Sequence, residues 1–347
     1  MSFDPSCPVP APGELIGLAH GGGGRATWRL LHELVLPSLG VADGAASHDA
    51  AELAVPAGGR LAFTIDASVV RPAFFPGGDI GRLAVFGAVN DLAAAGARPL
   101  ALALSLVLEE GLPRDTLRRV LESIAAASRI AGVRVVTGDT KVVDRGKGDG
   151  IYSSVAGVGV IAAGVDVGPH RIRPGDAVIA SGDVGRHGVA ILSVREGLDF
   201  DAAVESDCAP LTGLLDALLA AEIDLHCLRD PTRGGLSATL HELALDARLA
   251  IAVREVDIPI DPRVAAACEL LGLDPLAMAC EGRLVAVLPP EHAARAVAAL
   301  GARPDGAAAA VIGHVEDGPT GRVVATTQLG TRRILDFAAS EQLPRIC

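Results

Sequence analysis

The sequence predicts an α+β protein of two α/β-type domains followed by a flexible C-terminal tail. Three observations lead there. The chain has 347 residues, about two domains at the usual ~100–200 residues each. Apolar runs of strand length alternate with helical patterns up to about residue 165, and the alternation restarts near Val167. Finally, the eleven residues Phe337 to Cys347 carry Pro344, which fixes its own φ and biases Leu343 toward an extended form. Fully extended, that stretch reaches roughly 35 Å. The domains are placed at 20–165 and 166–336, between a disordered leader at 1–19 and a mobile tail at 337–347.

Composition narrows the function. Half the residues are apolar but only 3% are aromatic, so alanine, valine and leucine must build the core. A net charge of −12 disfavours nucleic acid, whose phosphates need lysine and arginine. No apolar run is long enough to span a bilayer, and no basic segment followed by an apolar stretch marks a signal peptide. A soluble cytoplasmic protein is expected. The cysteines are Cys7, Cys208, Cys227, Cys268, Cys280 and Cys347, without a C-x-x-C pair, so neither a zinc ribbon nor a dithiol site is indicated. The middle four read as small buried apolar residues. Cys347 is no prenylation box, because that signal needs three residues after the cysteine.

The elements follow in order. The leader carries Pro5, Pro8, Pro10 and Pro12. His20-Gly21-Gly22-Gly23-Gly24-Arg25 precedes a helical pattern through Trp28, Leu31, Leu34 and Val35. Such a glycine run either wraps phosphates with backbone N–H groups or serves as a hinge. It is not a Walker A loop, because no Gly-Lys-Ser/Thr follows. After Asp49, a strand from Leu61 to Ile65 ends in Asp66, where a carboxylate faces a loop. Phe74 to Asp79 is a turn. Arg82 to Ala97 is a helix apolar on nearly every face and therefore buried, with Asn90-Asp91 in its middle. A buried carboxylate there needs an arginine partner or a metal.

Leu100 to Leu108 is a strand, and Asp115 to Ala131 an amphipathic helix capped by Gly132. A strand from Val133 to Val136 runs into Gly138-Asp139-Thr140-Lys141, which reads as a ligand loop, and Ser153 to Ala162 is a strand. In the second unit Ala177 to Ala180, Ile251 to Val253, Leu284 to Leu288 and Val311 to Val315 are strands. Gly188 to Arg195, Pro210 to Ala221, Leu236 to Ala247, Arg263 to Leu271 and Glu291 to Leu300 are helices. Asp230 precedes one of these helices, where a cap or turn former is the plain reading, and Glu281 lies in a loop before a strand.

Several pieces coincide: His20 to Gly24, Phe74-Phe75-Pro76-Gly77-Gly78-Asp79-Ile80-Gly81, Asn90-Asp91, Gly138-Asp139-Thr140-Lys141-Val142-Val143, Asp230-Pro231-Thr232-Arg233-Gly234-Gly235 and Pro344-Arg345-Ile346-Cys347. Together they resemble the HypE family of nickel–iron hydrogenase maturation factors, in the superfamily of aminoimidazole ribonucleotide synthetase and selenophosphate synthetase. The likeness covers about His20 to Cys347. Two departures stand out: Ala88 replaces the family's usual threonine before Val-Asn-Asp, and the leader before His20 is longer.

The resemblance implies that Cys347 receives a carbamoyl group from the carbamoyltransferase HypF. ATP then drives dehydration of the thiocarboxamide to a thiocyanate, and the cyanide passes to iron on a HypC–HypD complex. It implies Mg-ATP bound between the domains and a homodimer formed through N-terminal sheets. Phosphorylation turns an amide oxygen into a good leaving group, which calls for magnesium and cations around the phosphoryl group. By the resemblance Asp49, Asp66, Asp91 and Asp230 hold magnesium, and His20, Gly21, Gly22, Gly23, Gly24, Asp139 and Thr140 hold nucleotide. Lys141 lies on phosphate or on the developing oxyanion. Glu281 removes an N–H proton as general base. Two other readings stand beside this one. A selenophosphate synthetase would need a reactive cysteine in the glycine run, and His20 to Arg25 contains none. A carrier whose tail docks a partner without turnover would show no ATP hydrolysis dependent on carbamoylated Cys347.

Overall fold

The computed structural model describes residues 15–17, 20, 29–40, 58–197 and 204–337. The two runs of alternation form two separate sheets. The first contains β1 (Arg60–Ser68), β4 (Ala97–Glu109), β5 (Val135–Val143) and β6 (Ile151–Ile161), in the order β1-β6-β4-β5. β6 runs antiparallel to both β1 and β4, while β4 and β5 are parallel. A two-residue hairpin, β2 (Phe74–Phe75) with β3 (Gly78–Asp79), leads into the first long helix.

That helix, α1 (Ile80–Ala94), is apolar on most faces because it is enclosed, with Leu83, Val85, Phe86, Val89 and Leu92 all buried. Asp79 caps it, accepting the N–H groups of Gly81 and Arg82 and the Ser123 hydroxyl. It begins and ends earlier than the sequence predicts, and Ala97 belongs to β4. Helix α2 (Arg114–Ala131) matches its predicted amphipathic pattern and ends on Gly132 in the left-handed conformation at φ 66°. Both helices share a core with one face of the sheet.

Among the described residues nothing covers the opposite face of this sheet. Leu61, Phe63 and Ile65 of β1 are 57%, 73% and 69% exposed, an apolar row alternating with the half-buried inward residues Ala62, Thr64 and Asp66. The register extends that face across Val158 and Ala156 of β6 and Ala103 and Val107 of β4 to Asp139 and Lys141 of β5.

The second sheet has seven strands, ordered β13-β12-β9-β11-β7-β10-β8. They are β7 (Ala177–Ala180), β8 (Cys227–Arg229), β9 (Ala250–Arg254), β10 (Val285–Leu288), β11 (Ala310–Glu316), β12 (Val323–Thr326) and β13 (Arg332–Ile334). Its helices are α3 (Arg186–Glu196), α4 (Thr212–Ala220), α5 (Gly235–Ala247), α6 (Pro262–Leu271) and α7 (Ala293–Gly301). The α+β class with two domains therefore holds. Cys208, Cys227, Cys268 and Cys280 are free and buried, as their plain reading requires.

The domains meet along α1. Asn90 reaches out of it to the second domain, donating to the carbonyls of Ala209 and Glu281 and accepting the N–H of Leu211 at 2.8 Å. Arg98 pairs with Asp216 at 2.8 Å, and the N–H of Ser206 donates to the carbonyl of Pro76.

Candidate functional site

A cleft of about 530 Å³ opens at this junction. The first domain contributes Asp66 from β1 and Gly87 and Asp91 from α1, and the second contributes Arg229, Asp230, Arg233, Glu242 and Glu281. Asp66 lies inside β1 rather than past its end, on the inward face, and crosses α1 at Gly87. A methyl group on Gly87 would collide with the Asp66 carboxylate and force it aside, so the glycine lets that carboxylate lie against α1. Asp91 accepts the Thr64 hydroxyl at 2.7 Å, which ties α1 to β1 beside the cleft. Asp230 follows directly after β8, and Glu281 is buried in the loop before β10.

Three carboxylates feel one another here. Burial pushes the Asp230 carboxyl up to about 7, and the charges of Asp91 and Asp66 add to the rise. Burial also raises Asp66 and Asp91, and the charge of Asp66 further disfavours ionised Asp91. The Thr64 hydroxyl bond and the guanidinium groups of Arg229 and Arg233 oppose the rise at Asp91. Among the described residues no group of three or more His, Cys, Asp or Glu side chains is gathered tightly enough to hold a metal ion by itself. The donors nonetheless suit a hard divalent cation, because they are all oxygens and a cation would relieve their mutual repulsion.

The remaining predicted residues fall elsewhere. Gly138-Asp139-Thr140-Lys141 is not a loop: it is the middle of β5, an edge strand paired in parallel with β4. Asp139 and Lys141 are exposed on the uncovered face of the sheet and pair with each other at 3.3 Å, while Thr140 is buried on the other face. Lys141 and the cleft-lining strand β1 stand at opposite edges of the four-stranded sheet, three interstrand spacings or about 14 Å apart. His20 sits outside the cleft, with its Nδ1 hydrogen-bonded to Gly17, in a segment that Ile16 fastens to the turn at Gly111 and Leu112. Gly21, Gly22, Gly23, Gly24, Asp49 and Cys347 lie outside the described residues.

Sequence reasoning missed Arg229 and Arg233 as cleft residues, although Arg233 stood inside the Asp-Pro-Thr-Arg-Gly-Gly stretch. It also missed where the tail is rooted. The ring of Phe337 stacks on His241 of α5 with centroids 4.9 Å apart, and the Ser237 hydroxyl donates to the carbonyl of Asp336 at 2.8 Å. The same helix lines the cleft through Thr239, Glu242 and Leu243.

Comparison with known proteins matches both halves of the chain. Residues 47–161 fit the N-terminal domain of AIR synthase related proteins, and residues 173–326 fit their C-terminal domain. The carbamoyl dehydratase HypE of Cupriavidus necator is 48% identical over 332 residues, covering 96% of this chain and 95% of that protein. A crystal structure of the hydrogenase maturation protein HypE in complex with ATP superposes with a TM-score of 0.91 at 45% identity, covering 95% of this chain and 99% of that one. A HypE–HypF complex structure matches at a TM-score of 0.77 and 41% identity, covering 82% and 92%.

Proposed function

The chain belongs to the HypE family of carbamoyl dehydratases, and from that premise we propose how its cleft performs the reaction. The protein is an ATP-dependent carbamoyl dehydratase of hydrogenase maturation. Its substrate is a carboxamide on the sulfur of Cys347, its product a thiocyanate at the same sulfur, and the cyanide supplies the iron centre of a nickel–iron hydrogenase. The observation that carries the reading is one cleft, walled by both domains, that gathers Asp66, Asp91, Asp230 and Glu281 with two arginines.

The carboxamide oxygen attacks the γ-phosphorus of ATP, and ADP leaves. Two protons are then removed from nitrogen, and the C–O bond breaks as phosphate departs with the former amide oxygen, leaving a carbon–nitrogen triple bond. Asp66, Asp91 and Asp230, with Asp49, would hold magnesium, which neutralises charge on the phosphates. Arg229 and Arg233 stand in the same cleft to meet phosphoryl oxygens. Glu281 takes one proton from nitrogen as general base, the departing phosphate carries off the other, and the burial of Glu281 keeps water from competing. Gly21 to Gly24 would complete the nucleotide contacts, whereas His20, Asp139 and Thr140 stand outside this cleft.

Lys141 enters this scheme through a second copy of the chain. The uncovered apolar row Leu61, Phe63 and Ile65 supports a homodimer formed face to face through this sheet. Lys141 shares that face, so a dimer carries it toward the partner's cleft rather than its own. HypF donates the carbamoyl group and a HypC–HypD complex accepts the cyanide. The net charge of −12 argues against nucleic acid, no described helix is long and apolar enough to cross a membrane, and we place the protein in the cytoplasm.

The experiment is a mass measurement of Cys347 after incubation with HypF, carbamoyl phosphate and ATP. The thiol should gain one carbamoyl group and then lose one water. A carbamoyl group that survives ATP intact would sink the reading.

A further inference from the structure

Glu281 stands on an irregular loop, yet its backbone is held on both sides. Behind it lies Asp207, a carboxylate that the reaction above leaves without a task. Its side chain is 0% exposed. Oδ1 accepts the N–H of Glu281 and Oδ2 the N–H of Gly282, both at 3.2 Å. The Arg283 guanidinium lies 3.9 Å from Oδ2 and is itself anchored on Asp183, through its carbonyl at 2.8 Å and its carboxylate at 2.5 Å. On the other side the Glu281 carbonyl accepts the Ala209 N–H and the Asn90 side-chain amide, each at 3.3 Å. The fit is close: a methyl group on Gly282 would collide with the Asp207 carbonyl.

A charged acceptor binds an N–H group more strongly than a neutral one, and two such bonds from one carboxylate fix two successive peptide units. Those peptide units carry the Cα of Glu281, so they set the direction in which its side chain enters the cleft. We propose that Asp207, seconded by Asn90, is the positioning residue that aims the Glu281 carboxyl at the substrate nitrogen. This rests on the reading of Glu281 as general base.

The test is a double-mutant cycle read by single-turnover conversion of carbamoylated Cys347. Asp207→Asn keeps the shape but sets an NH2 group against a backbone N–H. It should slow conversion by about 10²-fold, the usual cost of misplacing a reacting group by about 1 Å, with ATP affinity unchanged. In a Glu281→Gln background the same change should add nothing, because the group it aims is already gone. An equal loss in both backgrounds, or a parental rate for Asp207→Asn alone, overturns the proposal. If Asp207→Asn fails to fold, Asn90→Ala runs the same cycle, and additivity there overturns it equally. A parental rate for Glu281→Gln alone would instead remove the general-base reading, before Asp207 is touched.

Discussion

The side-chain amide of Asn90 donates to the main-chain carbonyl of Glu281 at 3.3 Å, across the junction between the two domains. The next residue, Asp91, faces the cleft from the same helix. Successive helical residues point about 100° apart, so one turn of α1 serves both purposes. Asn90 holds the loop that bears the candidate base, and Asp91 presents a carboxylate to the candidate metal. A shift of α1 would therefore disturb the two together.

Glu281→Gln should bind ATP like the parent and convert the carboxamide about 10²–10⁴-fold more slowly, the usual loss when a positioned general base is removed. Single-turnover mass spectrometry of carbamoylated Cys347 measures it. Conversion at the parental rate would leave Glu281 a loop residue.

Asp91→Asn and Asp230→Asn each remove one of the mutually repelling carboxylates. Without a metal, Asp230→Asn should raise the melting temperature at neutral pH, since a raised carboxyl pKa marks a charge that the fold disfavours. With magnesium present, each variant should bind ATP more weakly by calorimetry. Unchanged affinity in both would remove the metal assignment.

The uncovered sheet face makes a prediction about subunits. Phe63→Asp places a charge in the apolar row and should yield monomers in sedimentation, with the fold intact by circular dichroism. Mixed dimers of Lys141→Ala and Glu281→Gln protomers should regain conversion, because one of their two clefts is then whole. If Lys141 served its own cleft, every cleft would stay defective and mixing would restore nothing.

Acid should strike the second domain through Asp261, which caps α6 and bonds Arg263 through its main-chain N–H and its guanidinium. The Arg263 bonds hold the Asp261 carboxyl down at about 2. Its folded pKa lies below the unfolded value, so its stabilisation is complete above about pH 4 and drains away as pH falls toward 2. Asp261→Asn should cost stability at pH 7 and flatten the decline in melting temperature over that acid range. An identical acid profile in both proteins would mean the pair contributes nothing.

The sequence made some of this legible and hid the rest for physical reasons. The all-apolar pattern of α1 and the one-sided pattern of α2 announced both helices, because burial geometry writes directly into spacing. Gly138 to Lys141 misled: glycine and aspartate are poor strand formers, and only pairing with β4 makes this stretch a strand. Asp91 was legible as a candidate because a carboxylate in an apolar helix needs a reason. Asp230 read as a cap or turn former and became a candidate only through the family resemblance. Asp207 was not legible. It sits in an irregular stretch without periodicity, and the amides it binds lie 74 and 75 residues further along the chain.

The stack of Phe337 on His241 bears on how hard the substrate must search. It pins the chain ten residues before Cys347, on a helix that also walls the cleft. Ten residues span at most about 35 Å, so the thiol is confined to a volume equivalent to a concentration of roughly 10 mM around that point. At such a concentration a cleft of modest intrinsic affinity is filled much of the time. Freeing Phe337 by His241→Ala would enlarge that volume and dilute the substrate without altering one atom of the carboxamide or its thiol.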